Sequence, residues 1–442
     1  MWLIVARRVR QSAPVGEVVG VGGELARRLG TRDAVVVGLS AMIGAGVFAV
    51  FAPAAGAAGS WLLAALALAA VVAYCNATSS ARLAARHPES GGTYVYGRRR
   101  LGPFWGYLAG WGFTVGKTAS CAAMALTFGA YAAPDLARPL AVGAVVVLTA
   151  LNLFGVERSA GAARIMVGFV LLVLALVVAV AFQQVLADDL PFGVDVILGP
   201  EVSGWGVLQG AGLLFFAFAG YARIATLGEE VRDPARTIPR AVGIALGITL
   251  VVYTLVAVAA LRTLGPGPLA ASDAPLVDVV NVAGRGSPEP VLAGLSAVVR
   301  AGAAVAALGA LLALLLGVSR TVLAMARERD LPGALAAVDP VHQVPRRAEL
   351  AVGAAVVVLV LVADLRGAIG FSSFGVLVYY AIANASALTL RRDEGAPPRA
   401  VPVLGLALCL LLAATLPVPS VVAGLIVFAV GTALWVLRRR ST

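Results

Sequence analysis

The chain has 442 residues, 60% of them hydrophobic and only 13% charged, with 34 Lys and Arg against 23 Asp and Glu for a net charge of +11. A mean hydropathy of +0.93 excludes a soluble globular protein of this length, whose surface needs far more charge. Apolar runs near 20 residues recur from end to end, each able to cross a hydrocarbon core of about 30 Å. The sequence therefore predicts an all-α polytopic membrane protein.

Residues 1–34 read as a basic amino-terminal segment. Its opening, "MWLIVARRVRQ", places apolar residues before the arginines, the wrong order for a secretory signal. Twelve spans follow, at 35–57, 61–85, 103–133, 139–155, 163–186, 205–228, 239–263, 291–318, 349–365, 368–390, 400–416 and 419–437. The loop "RHPESGGTYVYGRRRLGP" between the second and third is polar and Gly-rich. It predicts a short amphipathic piece at the inner interface, anchored by Tyr94 and Tyr96. The outer loop near 187–204 is acidic.

Most basic residues fall in loops on one side of these spans, among them Arg27, Arg28, Arg98–Arg99–Arg100, Arg232, Arg236, Arg327, Arg346 and Arg347. The positive-inside rule then places both termini in the cytoplasm and reads the excess charge as topology, not as a nucleic-acid surface. Cys75, Cys121 and Cys409 sit in separate spans, so neither a disulfide framework nor a metal site is expected. Nothing in the sequence calls for a cofactor.

Two spans carry glycine where a plain span needs none. The first reads "VVGLSAMIGAGVFAV", with Gly44 and Gly46 at its middle, and each glycine costs roughly 1 kcal/mol in a helix interior relative to alanine. The sixth reads "VLQGAGLLFFAFAGYARIATLGEEV", with Gly210 and Gly212 early and Gly220 at mid-depth. Broken helices at corresponding places in two halves mark the binding site of inverted-repeat transporters. Close helix packing through small residues is the competing reading.

Four stretches carry a resemblance. "GLSAMIGAGVFAVFAPAAG" is similar to the first-helix signature of the amino acid–polyamine–organocation superfamily. "FFAFAGYARIATLGEEVRDPARTIPRA" resembles the sixth helix and following loop of its amino-acid permeases. "HPESGGTYVYGRRRLGPFWGYLAGW" resembles their entry to the third helix, and "GVSRTVLAMARERDLP" their exit from the eighth.

The resemblance implies a five-plus-five inverted repeat of the leucine-transporter type, with halves at about 35–186 and 205–390. Residues 391–442 would supply two accessory helices and a basic tail. It implies uptake or exchange of an amino acid by alternating access, in the cell membrane of a bacterium or archaeon. A proton would be the coupling ion, with sodium as the alternative.

Carried over residue by residue, the resemblance assigns the substrate carboxylate to the amides of Gly44, Ala45 and Gly46. The ammonium goes to carbonyls at Ala41 and Met42 and at Phe215, Ala217 and Phe218. The chemistry fits, since amides freed at a half-helix start face an anion and carbonyls freed at a half-helix end accept from a cation. Of Phe215, Phe216 and Phe218, one or two are expected to face the site. Trp111 is either an aromatic wall or packing.

Lys117 is the only lysine of the chain, roughly 21 Å along the third span at 1.5 Å per residue. A charge at that depth is a functional candidate by default: substrate contact, fixed cation or proton-exchanging group. A structural ammonium held by broken-helix carbonyls is the alternative. Sodium-independent relatives carry a fifth-helix lysine where alignment of "GVERSAGAARIMVGFVLLV" puts Val170, so this chain departs from that pattern. Arg223, just past the sixth-helix break, reads as an inner gate, a partner of Glu229 or Glu230, or a contact to an acidic substrate, with a gate or structural pair favoured. Ser319 either coordinates an ion, as in sodium-coupled relatives, or bonds back to its own helix.

An enzyme would need nucleophiles, bases or metal ligands at one depth, and the spans carry no such cluster. A non-transporting membrane amino-acid sensor on the same scaffold, or a transporter of amines or other small carboxylates, is the alternative function. Without a carboxylate at any span midpoint, neutral or acidic amino acids are favoured over cationic ones.

Overall fold

The computed structural model describes residues 29–87, 89, 91–155, 160–187, 203–225 and 231–440. Among them every regular element is a helix, apart from an isolated bridge between Leu29 and Val231. That bridge, with Arg232 N–H on the Leu29 carbonyl at 2.9 Å, ties the entry of the first helix to the entry of a later one.

α1 (Thr31–Met42) starts where the Asp33 carboxylate accepts the Gly30 N–H at 3.2 Å. The chain unwinds over Ile43–Ala45 and resumes as α2 (Gly46–Ala49) and α3 (Phe51–Ala58). These two are one rod with a bend, because Val50 N–H reaches the Gly46 carbonyl at 3.0 Å and Ala54 N–H the Val50 carbonyl at 3.1 Å. At 1.5 Å per residue α1 is about 18 Å long, so the interruption falls near the middle of a bilayer.

α4 (Leu62–Arg86), α5 (Thr93–Arg100), α6 (Pro103–Ala132), α7 (Ala137–Leu153) and α8 (Ala160–Ala187) follow. α9 (Gly204–Phe218) begins at Ser203, whose hydroxyl accepts the Gly206 N–H at 3.2 Å. It tightens into a 3-10 turn at Ala219–Tyr221 and resumes as α10 (Ala222–Ala225). The chain then builds α11 (Pro234–Leu264), α12 (Pro266–Ala271), α13 (Pro275–Ala283), α14 (Glu289–Arg327), α15 (Arg346–Val362), α16 (Leu365–Leu388), α17 (Ala400–Thr415) and α18 (Val418–Arg440).

Among the described residues, nine helical stretches are long and apolar enough to cross a membrane. Large apolar side chains point outward, Ile165 at 76%, Val362 at 73% and Leu172 at 69% exposed, a surface suited to lipid. Inside, α6 packs on α14 and α16, while α1 packs on α8 and α11, α4 on α9 and α11, and α3 on α9.

Two features depart from the sequence reading. α12 and α13, which hydropathy does not mark, each open on a proline suited to a first helical turn. Tyr94 and Tyr96 do lie on a short helix, α5, but both are buried against protein and so are not lipid-facing anchors. The Tyr94 hydroxyl donates to Asp330 at 2.7 Å, and Arg98 pairs with the same carboxylate at 2.8 Å, which locks α5 to the chain leaving α14.

Candidate functional site

The two interruptions touch. A methyl group added at Gly46 would lie 3.0 Å from both Cα and Cβ of Ala217, and one at Gly220 would overlap the Ala41 carbonyl and lie 2.6 Å from the Met42 nitrogen. Each break therefore needs a glycine because the other's backbone passes beside it. Gly210 and Gly212, in contrast, sit inside continuous α9 and admit Ala58 and Leu416, so those two glycines serve packing.

At the first break, Ile43 N–H closes α1 on the Leu39 carbonyl at 2.7 Å. The amides of Gly44 and Ala45 and of Gly46 and Val47 at the start of α2 donate to no protein group among the described residues. Four N–H groups in a row are thus left at the positive end of the α2–α3 rod. The second break is tighter than the first. Its 3-10 turn keeps the Phe215 carbonyl occupied by Ala219 N–H, so the sixth span narrows instead of opening.

Tyr253 of α11 joins the two. Its hydroxyl lies 2.6 Å from the Met42 carbonyl and 3.2 Å from the Ala217 carbonyl, and its ring meets Phe218 and Phe51 edge-on at 5.1 and 6.3 Å between centroids. On the other side, the Tyr131 hydroxyl of α6 donates to the Phe48 carbonyl at 3.0 Å and accepts from Leu276 N–H of α13 at 3.3 Å. Arg300 of α14 donates to the Tyr131 carbonyl at 2.9 Å, so its guanidinium is anchored in protein. The 3-10 turn rests on Tyr380, whose hydroxyl lies 3.5 Å from the Ala219 carbonyl and whose ring packs on Tyr221 and Phe215. Asn384, Asn76 and Ser79 form a buried hydrogen-bonded chain behind it.

Sequence reasoning missed these tyrosines because it searched the spans for charge. A hydroxyl at mid-span, as at Tyr253, is the signal that would have found them.

The structure sorts the remaining candidates. Ala41, Met42, Gly44, Ala45, Gly46, Phe215, Ala217 and Phe218 all lie at or beside the touching breaks. All three phenylalanines are buried in protein. Trp111 is turned away, its indole N–H donating to the Val427 carbonyl of α18 at 3.0 Å and its ring stacked on Tyr107, so here it packs a peripheral helix.

Lys117 is buried at mid-length of α6 and makes no ion pair or hydrogen bond among the described residues. One turn on, Cys121 lies within electrostatic range of both Lys117 and Glu349. Arg223 is exposed on α10, and Glu229 and Glu230 lie outside the described residues. Ser319 of α14 is fully buried, 3.0 Å from its own Leu316 carbonyl and 2.6 Å from the Glu349 carboxyl of α15. Of the two readings of that serine, ion ligand or bond back to its helix, the helix-backbone contact is present, together with a carboxyl partner that the sequence reading did not give it.

Among the described residues the protein is all-helical, with long apolar helices and two mid-length interruptions in contact, the architecture of a membrane transporter. The amino acid permease family model matches residues 29–438, and the chain belongs to that family, within the superfamily its motifs resemble. It is 64% identical over 419 residues to the uncharacterized transporter Rv1999c of Mycobacterium tuberculosis, covering 95% of this chain and 93% of that protein. It is 25% identical over 462 residues to the branched-chain amino acid permease BcaP of Bacillus subtilis, covering 96% of each. It is 29% identical over 401 residues to human cationic amino acid transporter 4, covering 85% of this chain and 61% of that protein.

Proposed function

We propose that the protein is a secondary active amino-acid transporter that works by alternating access and is coupled to a proton. In this reading the chain crosses the membrane twelve times, as a five-plus-five inverted repeat (35–186 and 205–390) plus two accessory helices, with both termini in the cytoplasm of a bacterial or archaeal cell. The contact between the two interruptions carries it. Amides at Gly44–Val47, without partners among the described residues, offer a carboxylate-sized set of donors, while the Met42 and Ala217 carbonyls, brought together by Tyr253, offer acceptors to an ammonium.

The side-chain surroundings support a neutral, apolar amino acid. Phe48, Phe51, Phe215 and Phe218 flank the breaks, and no carboxylate hydrogen-bonds there among the described residues. A permease named for branched-chain amino acids aligns over 96% of both chains, in keeping with this choice.

The test is uptake by purified protein in liposomes against a panel of neutral, acidic and cationic amino acids, with pH or sodium gradients imposed in turn. Accumulation of a branched aliphatic amino acid driven by an inward proton gradient is expected. Binding in detergent without transport of any panel member would instead identify a sensor.

A further inference from the structure

Away from the breaks, α7, α14 and α15 enclose a second polar group. Glu349 is fully buried, and no cation reaches ion-pairing distance of it among the described residues. Its Oε1 lies 2.6 Å from the Ser319 hydroxyl, and its Oε2 has no partner. On the facing turn of α7, Thr149 and Asn152 are three residues apart and share one helix face. Both are more than nine-tenths buried, and the Thr149 hydroxyl and both polar atoms of the Asn152 amide lack hydrogen-bond partners. The Asn152 amide lies near the Glu349 carboxyl but outside hydrogen-bond geometry, and Thr149 is pressed against Gly353, one turn along α15.

The Ser319 hydroxyl carries one proton but makes two close contacts, 3.0 Å to the Leu316 carbonyl and 2.6 Å to Glu349. A carbonyl has no proton to give. Both contacts are hydrogen bonds if Ser319 donates to Leu316, a common arrangement for serine in a helix, and Glu349 donates its own proton to Ser319 Oγ. An ionised carboxylate in that place would be an unpaired charge in a low-dielectric interior, which is far costlier than a neutral acid.

We propose that Glu349 is a proton-binding site, neutral and closed by Ser319 in this conformation, that releases its proton when the α7–α14–α15 contact rearranges. Asn152 and Thr149 fit the second state. Their idle N–H and O–H groups can turn to donate to the carboxylate once the proton has left, while Ser319 keeps its bond to Leu316. The other titratable groups near Glu349 are Cys121 on α6 and Arg320 on α14, with Lys117 one turn beyond Cys121 and Arg346 and Arg347 on the first turn of α15; the described α7 face adds none. The role as coupling proton rests on the transport reading above; the protonation state does not.

Two measurements on the full-length protein separate these claims. Infrared difference spectra between acidic and alkaline buffer should show, in wild type, the C=O stretch of a buried carboxylic acid that persists at neutral pH. That band should vanish in Glu349→Gln and shift in frequency in Ser319→Ala. In liposomes, a one-unit pH gradient supports about tenfold accumulation for one proton per substrate, and Glu349→Gln should reduce this to no accumulation, with counterflow exchange reporting on folding.

Spectra of wild type and Glu349→Gln that match in the carboxylic-acid region would overturn the proposal, as would undiminished proton-driven accumulation by the variant. Accumulation that follows a sodium gradient and is lost in Glu349→Gln would make the group a sodium site and also reject it. If wild-type protein transports no amino acid, the transporter reading fails while the infrared result still decides the state of Glu349.

Discussion

Tyr253→Phe removes one oxygen and tests whether the two breaks act as a unit. The ring contacts to Phe218 and Phe51 survive the change, so the variant isolates the hydroxyl. Of its two carbonyl contacts, the 2.6 Å one to Met42 is short and the 3.2 Å one to Ala217 is at the long end of the range. A hydroxyl donor lost from a buried carbonyl typically costs about 1–3 kcal/mol, and hydrogen bonds between membrane helices lie at the low end of such values.

Taking about 1–2 kcal/mol, the variant should lose roughly 5- to 30-fold in substrate affinity, since one or two kcal/mol is that factor in an equilibrium constant. Tyr253 acts through the carbonyls it holds, so the loss should fall on Kd measured by binding to purified protein and on the KM of uptake, with a smaller change in the maximal rate. Tyr253→Ala should do worse, because it also removes the ring between Phe218 and Phe51. A Tyr253→Phe variant with Kd within twofold of wild type would show that the bridge does not organise the ligand groups, and the site would have to be sought elsewhere.

Gly46→Ala should abolish substrate binding, because its new methyl meets the Ala217 backbone, which cannot swing aside, whereas Gly317→Ala, facing open space, should bind as wild type does; radioligand binding compares the two. Lys117→Met removes a buried charge with no described partner, so thermal stability in detergent should hold or rise while gradient-driven uptake falls at least about tenfold, against the usual pattern for breaking a buried ion pair. Wild-type uptake by that variant would reduce Lys117 to scaffold.

Outside the spans, hydrogen bonds from Arg100, the Arg391 N–H and Arg86 hold the Glu394 carboxyl down to about 2 from a usual value of 4.5. Because the folded value lies below the unfolded one, its contribution to stability is complete above about pH 4.5 and fades as pH falls toward 2. Glu394→Gln should flatten stability against pH across that window, read from thermal midpoints in detergent.

The extent of several spans was legible because hydrophobic length is a strong local signal: α4 at Leu62–Arg86 and α6 at Pro103–Ala132 end within a few residues of the sequence reading, whereas α14 runs on to Arg327, past the polar residues where the eighth span was read to stop. The break at Gly44 and Gly46 was legible for a similar reason, two glycines being costly in one helix unless something approaches closely. What approaches was not. The pairing of Gly46 with Ala217 and of Gly220 with Ala41 joins residues more than 170 positions apart, and no periodicity encodes that. Trp111 stayed open between wall and packing, for an aromatic on a buried helix can face either way, and here the indole meets a carbonyl on α18. Glu349 stands at the start of a span, where hydropathy gives no sign of burial. Only tertiary packing, with Ser319 above it and α7 across from it, buries it completely.

These particulars share one physical logic. The polar groups at the breaks are backbone amides, backbone carbonyls and tyrosine hydroxyls, all neutral; the Tyr253 hydroxyl sits near two acceptors and the Tyr131 hydroxyl between an acceptor and a donor. A neutral group that can exchange one carbonyl for another lets helices move past each other without stranding a charge in the bilayer, where a bare ion costs several kcal/mol. Ser319 has the same form, one hydroxyl shared between a helix carbonyl and a carboxyl. Under the proposal made for it, Glu349 extends the rule to the coupling step, remaining neutral while buried and becoming charged only where donors from α7 can meet it. The prediction that separates this from a static polar core is the double variant Asn152→Leu with Thr149→Val. It removes the donors reserved for the anion and keeps the neutral state intact, so the carboxylic-acid band should persist to more alkaline pH than in wild type. An unchanged titration of that band would mean that α7 plays no part in releasing the proton.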